Sequence, residues 1–154
     1  MKKFFLTASF LFLILSVFGQ ILKPIEWEVT FSESNPKAGD EVEIQFKAFI
    51  EEDWYLYSSD FDPDLGPLVT EFTFEAHDSY ELVGDLEPIN PKKKYDTLWE
   101  GEISYFKKEG VFIQKVKILQ DDFQIKGTYF YQVCSDVDGK CIPFEDEFLL
   151  GTLI

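Results

Sequence analysis

The chain's only two cysteines, Cys134 and Cys141, have six residues between them. They sit in Tyr-Phe-Tyr-Gln-Val-Cys-Ser-Asp-Val-Asp-Gly-Lys-Cys-Ile-Pro-Phe, residues 129–144. An aromatic run leads in, a polar loop with Asp138-Gly139 separates the cysteines, and Pro143 and Phe144 follow. This reads as a β-hairpin crossed by a disulfide near its tip. A two-residue turn centred on Asp138-Gly139 would pair Cys134 with Pro143 and offset the cysteines diagonally. A four-residue loop, Asp136 to Gly139, pairs Cys134 directly with Cys141 and puts Gly139 where a left-handed residue is wanted. The second register is therefore expected. Directly opposed positions bring Cα atoms to about 4.5–5.5 Å, on the short side of disulfide geometry. Closing so short a segment stabilises by only about 2.5 kcal/mol in the loop-entropy view. A structural staple and a reducible bridge both fit these residues.

A disulfide needs an oxidising compartment, and the N-terminus supplies a route to one. Lys2 and Lys3 precede an apolar run from Phe4 to Phe18, and Val17-Phe18-Gly19 is an acceptable cleavage site before Gln20. Residues 1–19 are the expected signal peptide, and 20–154 the expected domain. The run is short for a spanning helix. Position 20 is Gln rather than the Cys of a lipoprotein, and no later stretch is apolar enough to span. The expectation is a soluble protein, periplasmic or otherwise exported, with no membrane insertion after signal cleavage.

The full chain carries 29 acidic and 14 basic residues. Taking away Lys2 and Lys3 leaves 12 basic against 29 acidic, a net charge of −17. Such a surface repels phosphate backbones and anionic lipid, so no nucleic-acid partner is expected.

Alternation carries the fold class. Ile25, Trp27, Val29 and Phe31 alternate with polar residues, as do Val42, Ile44, Phe46 and Ala48. Trp54-Tyr55-Leu56-Tyr57 is a short aromatic strand, and residues 58–68, with Pro63, Gly66 and Pro67, are a long loop. Phe72 with Phe74, Tyr80 with Leu82, and Ile103 with Tyr105 mark further strands. Gly84 to Trp99 reads as irregular. Val111–Ile118 shifts phase as if it held a bulge. Phe123–Cys134 and Phe144–Leu150 complete eight or nine strands without an amphipathic helix. The fold class is all-β, an immunoglobulin-like antiparallel β-sandwich.

Few residues are left to carry chemistry. His77, the single histidine, sits in a turn-like Glu-Ala-His-Asp-Ser segment where a solvated loop residue is the default. Zinc would lack ligands, since the cysteines do not have close C-x-x-C spacing. Asp136 and Asp138 lack a calcium loop's coordinating pattern. No metal and no cofactor are expected. The cysteine pair remains, with Lys140 beside Cys141 as a modest aid to its thiolate.

Tyr131-Gln132-Val133-Cys134 leading to Cys141-Ile142-Pro143, together with Tyr55-Leu56-Tyr57, resembles the N-terminal periplasmic domain of the thiol:disulfide interchange protein DsbD. The likeness runs from about residue 23 to 150. It implies an immunoglobulin-like sandwich whose cysteine pair accepts electrons from a thioredoxin-like domain and passes them to periplasmic oxidoreductases. It also implies that a partner attacks and links to Cys141, that Cys134 resolves, and that Tyr55 and Tyr57 line the site. A cap loop bearing an aromatic residue would fall on Asp96-Thr97-Leu98-Trp99-Glu100, with Leu98 at its centre and Trp99 next. Core packing is the competing expectation for Trp99. Three departures stand out. The cysteine loop is one residue longer than the commoner spacing, and Phe144 replaces a second proline. The chain also stops at Ile154 without the family's transmembrane and thioredoxin-like domains, so an electron donor on a separate chain is expected.

Two functions follow as expectations. The leading one is a periplasmic thiol-disulfide exchange module, of protein-disulfide reductase type, passing electrons between thioredoxin-fold partners. The alternative is a non-enzymatic exported β-sandwich binding protein with a structural disulfide.

Overall fold

The structure, a computed structural model, describes residues 22–97 and 99–151. The expected signal peptide lies outside the described residues. Ten strands form in chain order: β1 (Ile25–Phe31), β2 (Glu41–Ile50), β3 (Trp54–Tyr57), β4 (Glu71–Phe74), β5 (Tyr80–Pro88), β6 (Lys92–Asp96), β7 (Gly101–Phe106), β8 (Glu109–Ile118), β9 (Gln124–Ser135) and β10 (Cys141–Gly151). A one-turn 3-10 helix, Pro63–Leu65, interrupts the long loop after β3, with Asp62 as its cap. Every strand pairing is antiparallel. One sheet runs β1-β2-β8-β5 and the other β10-β9-β3-β7-β6, with β4 also on β9. This is the sandwich that the alternation predicts.

Inward positions recur with period two, as the pleat requires. On β2 they are Val42, Ile44, Phe46, Ala48 and Ile50, and on β8 Phe112, Val116 and Ile118. β9 contributes Ile125, Tyr129, Tyr131 and Val133 from the facing sheet. Phe46 joins the layers, its ring 4.6 Å from Phe72 and 5.0 Å from Phe148. Gly127 on β9 lets two neighbours approach, since a Cβ there would lie 2.0 Å from the Thr73 carbonyl oxygen.

Two details correct the sequence reading. The segment from Gly84 to Trp99 is not irregular: β5 continues through Gly84 to Pro88, and β6 follows as an edge strand. The bulge lies in β5, between Val83 and Glu87, rather than in β8. The apparent phase shift on β8 comes from Gln114, a polar side chain at an inward position. Its Nε2 donates to Lys115 O at 2.9 Å and to the carbonyls of Val83 and Gly84, at 3.4 and 3.3 Å, where the register of β5 begins to shift. A buried amide is tolerated there because it has partners.

The period also decides where the site goes. Val133 faces the core between the sheets, so Cys134 faces outward, yet Val133, Cys134 and Ser135 are all buried. A second cover must therefore lie on the outer face of the six-stranded sheet at this end.

Candidate functional site

The hairpin between β9 and β10 has the four-residue loop. Cys134 pairs with Cys141, and the two are joined by a disulfide with Cα atoms 4.1 Å apart. Ser135 N donates to Lys140 O at 2.8 Å, which makes the cysteines the adjacent non-hydrogen-bonded pair, where strands approach most closely. Gly139 takes φ 69°, the left-handed conformation the loop needs. Ser135 Oγ accepts from Val137 N and Asp138 N, and Asp138 Oδ1 accepts from Lys140 N. That last bond, with the Ser135 hydroxyl and the Lys140 charge, holds the Asp138 carboxyl below its usual range. Asp136 fastens the loop on its other side. Its N–H donates to Asp53 O at 2.7 Å and its carboxylate pairs with Lys107. The disulfide thus sits on a braced loop.

The two cysteines are unequal. Cys134 is 0% exposed, whereas Cys141 lies at the surface. Cys134 belongs to a small cluster with Tyr57 and Ile103, separate from the sandwich core. Tyr55, directly across from Cys134 on β3, packs against that cluster, as do Tyr105, Phe61 and Leu65. The Tyr55 ring stands edge-on to Tyr57 at 5.4 Å and to Tyr105 at 5.8 Å. Burial raises the pKa of the Tyr57 hydroxyl, with the Tyr55 hydroxyl at 3.5 Å and the charge of Asp96 adding to the effect. Lys94 Nζ lies over the Tyr55 and Tyr105 rings, 5.6 and 5.4 Å from their centroids. Lys140 is turned to Asp138 Oδ2, at 3.6 Å.

Of the residues assigned to a cap, Asp96 ends β6 opposite Gly101, and Thr97, Trp99 and Glu100 belong to the turn between β6 and β7. Leu98 lies outside the described residues. Trp99 is 39% exposed and is not part of the sandwich core, which removes the core-packing expectation. Its ring rests over Gly66, where a Cβ would come within 2.3 Å of it. Asp96 Oδ1 accepts from Trp99 N at 3.4 Å, and Asp96 Oδ2 is 3.5 Å from Lys94 Nζ.

Phe61, Leu65, Ile103 and Tyr105 were not foreseen at the site. Alternation puts Ile103 and Tyr105 on one face of β7 without saying which. Phe61 and Leu65 come from an irregular loop, where no periodicity exists to read. His77 is remote from this chemistry in sequence and serves its own turn, Nδ1 lying 2.7 Å from Ser79 Oγ. Among the described residues no group of three or more His, Cys, Asp or Glu side chains is placed to hold a metal ion.

The sequence profile described as thiol:disulfide interchange protein DsbD, N-terminal, matches residues 20–152. The chain belongs to this family. Solved structures agree with the DsbD N-terminal fold at low identity. The DsbD N-terminal domain of Neisseria meningitidis in its reduced form has a TM-score of 0.57 and 17% identity, over 84% of this chain and 86% of that one. The same domain in complex with the PilB N-terminal domain from N. meningitidis gives 0.53 and 16%, over 84% and 86%. The N-terminal periplasmic domain of ScsB from Proteus mirabilis gives 0.55 and 20%, over 86% of this chain but only 49% of that one. No curated protein sequence matches the chain. In this DsbD N-terminal domain, the disulfide-forming pair is Cys134 and Cys141. Among the described residues no helix is long and apolar enough to cross a membrane.

Proposed function

We propose that this domain is an exported, periplasmic thiol-disulfide exchange module working through Cys134 and Cys141. The observation that carries the reading is one bridge between a surface cysteine and a buried one, in a chain of this family. A donor thiolate attacks Cys141 Sγ, the Cys134–Cys141 bond breaks, and its electron pair leaves on Cys134 Sγ, which takes a proton. The donor's second thiol then resolves the mixed disulfide, leaving both cysteines as thiols and the donor oxidised. In the delivering direction the Cys141 thiolate attacks an acceptor disulfide, and Cys134 resolves by re-forming the bridge. Thioredoxin-fold proteins are the partners that the family resemblance implies. The Neisseria domain bound to PilB supports docking of this kind of domain to another protein. Tyr55 and Tyr57 wall the buried sulfur. The turn of Asp96, Thr97, Trp99 and Glu100 acts as a cap over this face.

The decisive experiment removes one cysteine at a time. Cys134→Ala should accumulate a mixed disulfide through Cys141 with a thioredoxin-fold dithiol protein, seen as a reductant-sensitive band and by mass. Cys141→Ala should not. Equal trapping by both variants would remove the assignment of roles. The reduction potential separates exchange from a staple: a value below about −300 mV would mark a structural disulfide.

A further inference from the structure

On the roles just proposed, attack falls on Cys141, which already lies at the surface. The other sulfur carries the remaining barrier. As the new bond to Cys141 forms, the old one breaks and leaves its electron pair on Cys134, in a site from which solvent is excluded. Burial disfavours a thiolate, and exchange slows as the leaving thiol's pKa rises. Whatever keeps Cys134 dry therefore controls the rate, even with Cys141 in reach.

The sheet alone does not enclose the Cys134 cluster. Phe61 and Leu65 close it from the 58–68 segment, with Phe61 5.8 Å from the Tyr57 ring. The segment is tied down along its length. Ser58 N donates to Ser104 O at 3.0 Å, Asp60 accepts from the Ser104 hydroxyl, and Gln132 Oε1 accepts from Leu68 N at 3.0 Å. Two glycines interlock it with the β6–β7 turn: Leu65 fills the space a Cβ on Gly101 would need, and Trp99 fills the space beside Gly66. The nearby charges mostly answer one another. Lys94 is paired with Asp96, Lys107 with Asp136, and Lys93 with Asp60. Lys140 is paired with Asp138 and Lys93 also reaches Glu102; Asp62, Asp64 and Glu100 are exposed, and the hydroxyls of Tyr55, Tyr57 and Tyr105 are the remaining titratable groups on the strands. Desolvation is then the term that the segment adjusts.

We propose that the 58–68 segment sets the rate of exchange by keeping the leaving sulfur, Cys134, dry through Phe61 and Leu65, and that Leu65–Gly101 and Gly66–Trp99 latch it in place. Three variants test this: Leu65→Ala and Phe61→Ala, which thin the cover, and Gly101→Ala, which deletes nothing. The last places a Cβ 2.4 Å from a Leu65 methyl carbon and must push that side chain aside. Reduction of the bridge by dithiothreitol should be about tenfold faster in each, about 1.4 kcal/mol of barrier. In a Cys141→Ala background, the pH dependence of iodoacetamide alkylation should show the Cys134 thiol pKa falling towards the ordinary value of about 8.5. An unchanged rate overturns the proposal, and so does a faster rate with an unchanged Cys134 pKa, which would mean easier access to Cys141 alone. If a truncation fails to fold, Gly101→Ala still decides. Dithiothreitol needs no docking partner, so the result reads the segment whether or not a protein mixed disulfide is ever trapped.

Discussion

Phe46→Ala should lower the free energy of unfolding by about 3–5 kcal/mol. The side chain is fully buried on β2 and directly opposite Phe112 on β8. Across the sandwich it meets Phe72 and Phe148 at 4.6 and 5.0 Å, and Phe74 and Tyr129 at 6.1 Å. Those four rings come from β4, β9 and β10, so one side chain holds both sheets. Rings braced by three strands cannot collapse into the space left, and the cavity term adds to the lost transfer energy. Trp99→Ala should behave differently despite deleting a larger group. Its ring is 39% exposed and rests on Gly66 at the surface, so the expected loss is about 1 kcal/mol or less. Urea unfolding checks both. The midpoint should move far for Phe46→Ala and little for Trp99→Ala, with the slope unchanged in each. A Trp99→Ala loss as large as that of Phe46→Ala would return Trp99 to the core.

The contrast shows why the hairpin was legible in the sequence and its cover was not. Two cysteines and Gly139 allow few registers, and only one sets the sulfurs face to face. The β2 and β9 strands were legible because every second residue is apolar. The Lys92-Lys93-Lys94-Tyr95-Asp96 stretch offers no such alternation. It forms the edge strand β6, paired only with β7 and exposed from Lys92 to Tyr95, where lysines guard an edge against further pairing. At the site, the family resemblance named Tyr55 and Tyr57, and they come together because residues two apart in a strand share a face. Phe61 and Leu65 reach the same face through a 3-10 turn whose path follows from no periodicity. Trp99 illustrates the limit most plainly. An aromatic residue near the end of an irregular-looking segment fits a core or a cap equally well, until its partner proves to be a glycine.

High pH should unfold this domain cooperatively, and the buried tyrosines set where. Burial raises the pKa values of Tyr57, Tyr129 and Tyr131 well above the usual tyrosine range. The charge of Asp146 adds to the effect on Tyr129 and Tyr131, and Tyr131 also donates to Asp146 Oδ2 at 2.7 Å. Unfolded, each ionises near pH 10. Below that pH both states hold the same protons at these groups, so stability does not respond. Above it the unfolded chain loses protons that the folded chain keeps, and stability falls by about 1.4 kcal/mol per pH unit for each tyrosine. These three together remove about 4 kcal/mol per unit, and Tyr80, raised by burial and then by the charge of Glu75, adds to the slope, against a total of about 5–15 kcal/mol for an ordinary domain. Tyrosinate absorbance and far-ultraviolet circular dichroism, followed together from pH 9 upward, test this. The circular dichroism signal should be lost in one step, between about pH 11 and 13 on these slopes, with a cooperative rise in tyrosinate absorbance at the same pH. Smooth ionisation of all seven tyrosines with the β signal retained would contradict it. Tyr131→Phe supplies the control, because it keeps the ring and removes one titrating group. Its transition should be less steep, by about a quarter to a third, whatever the lost hydrogen bond to Asp146 does to the midpoint.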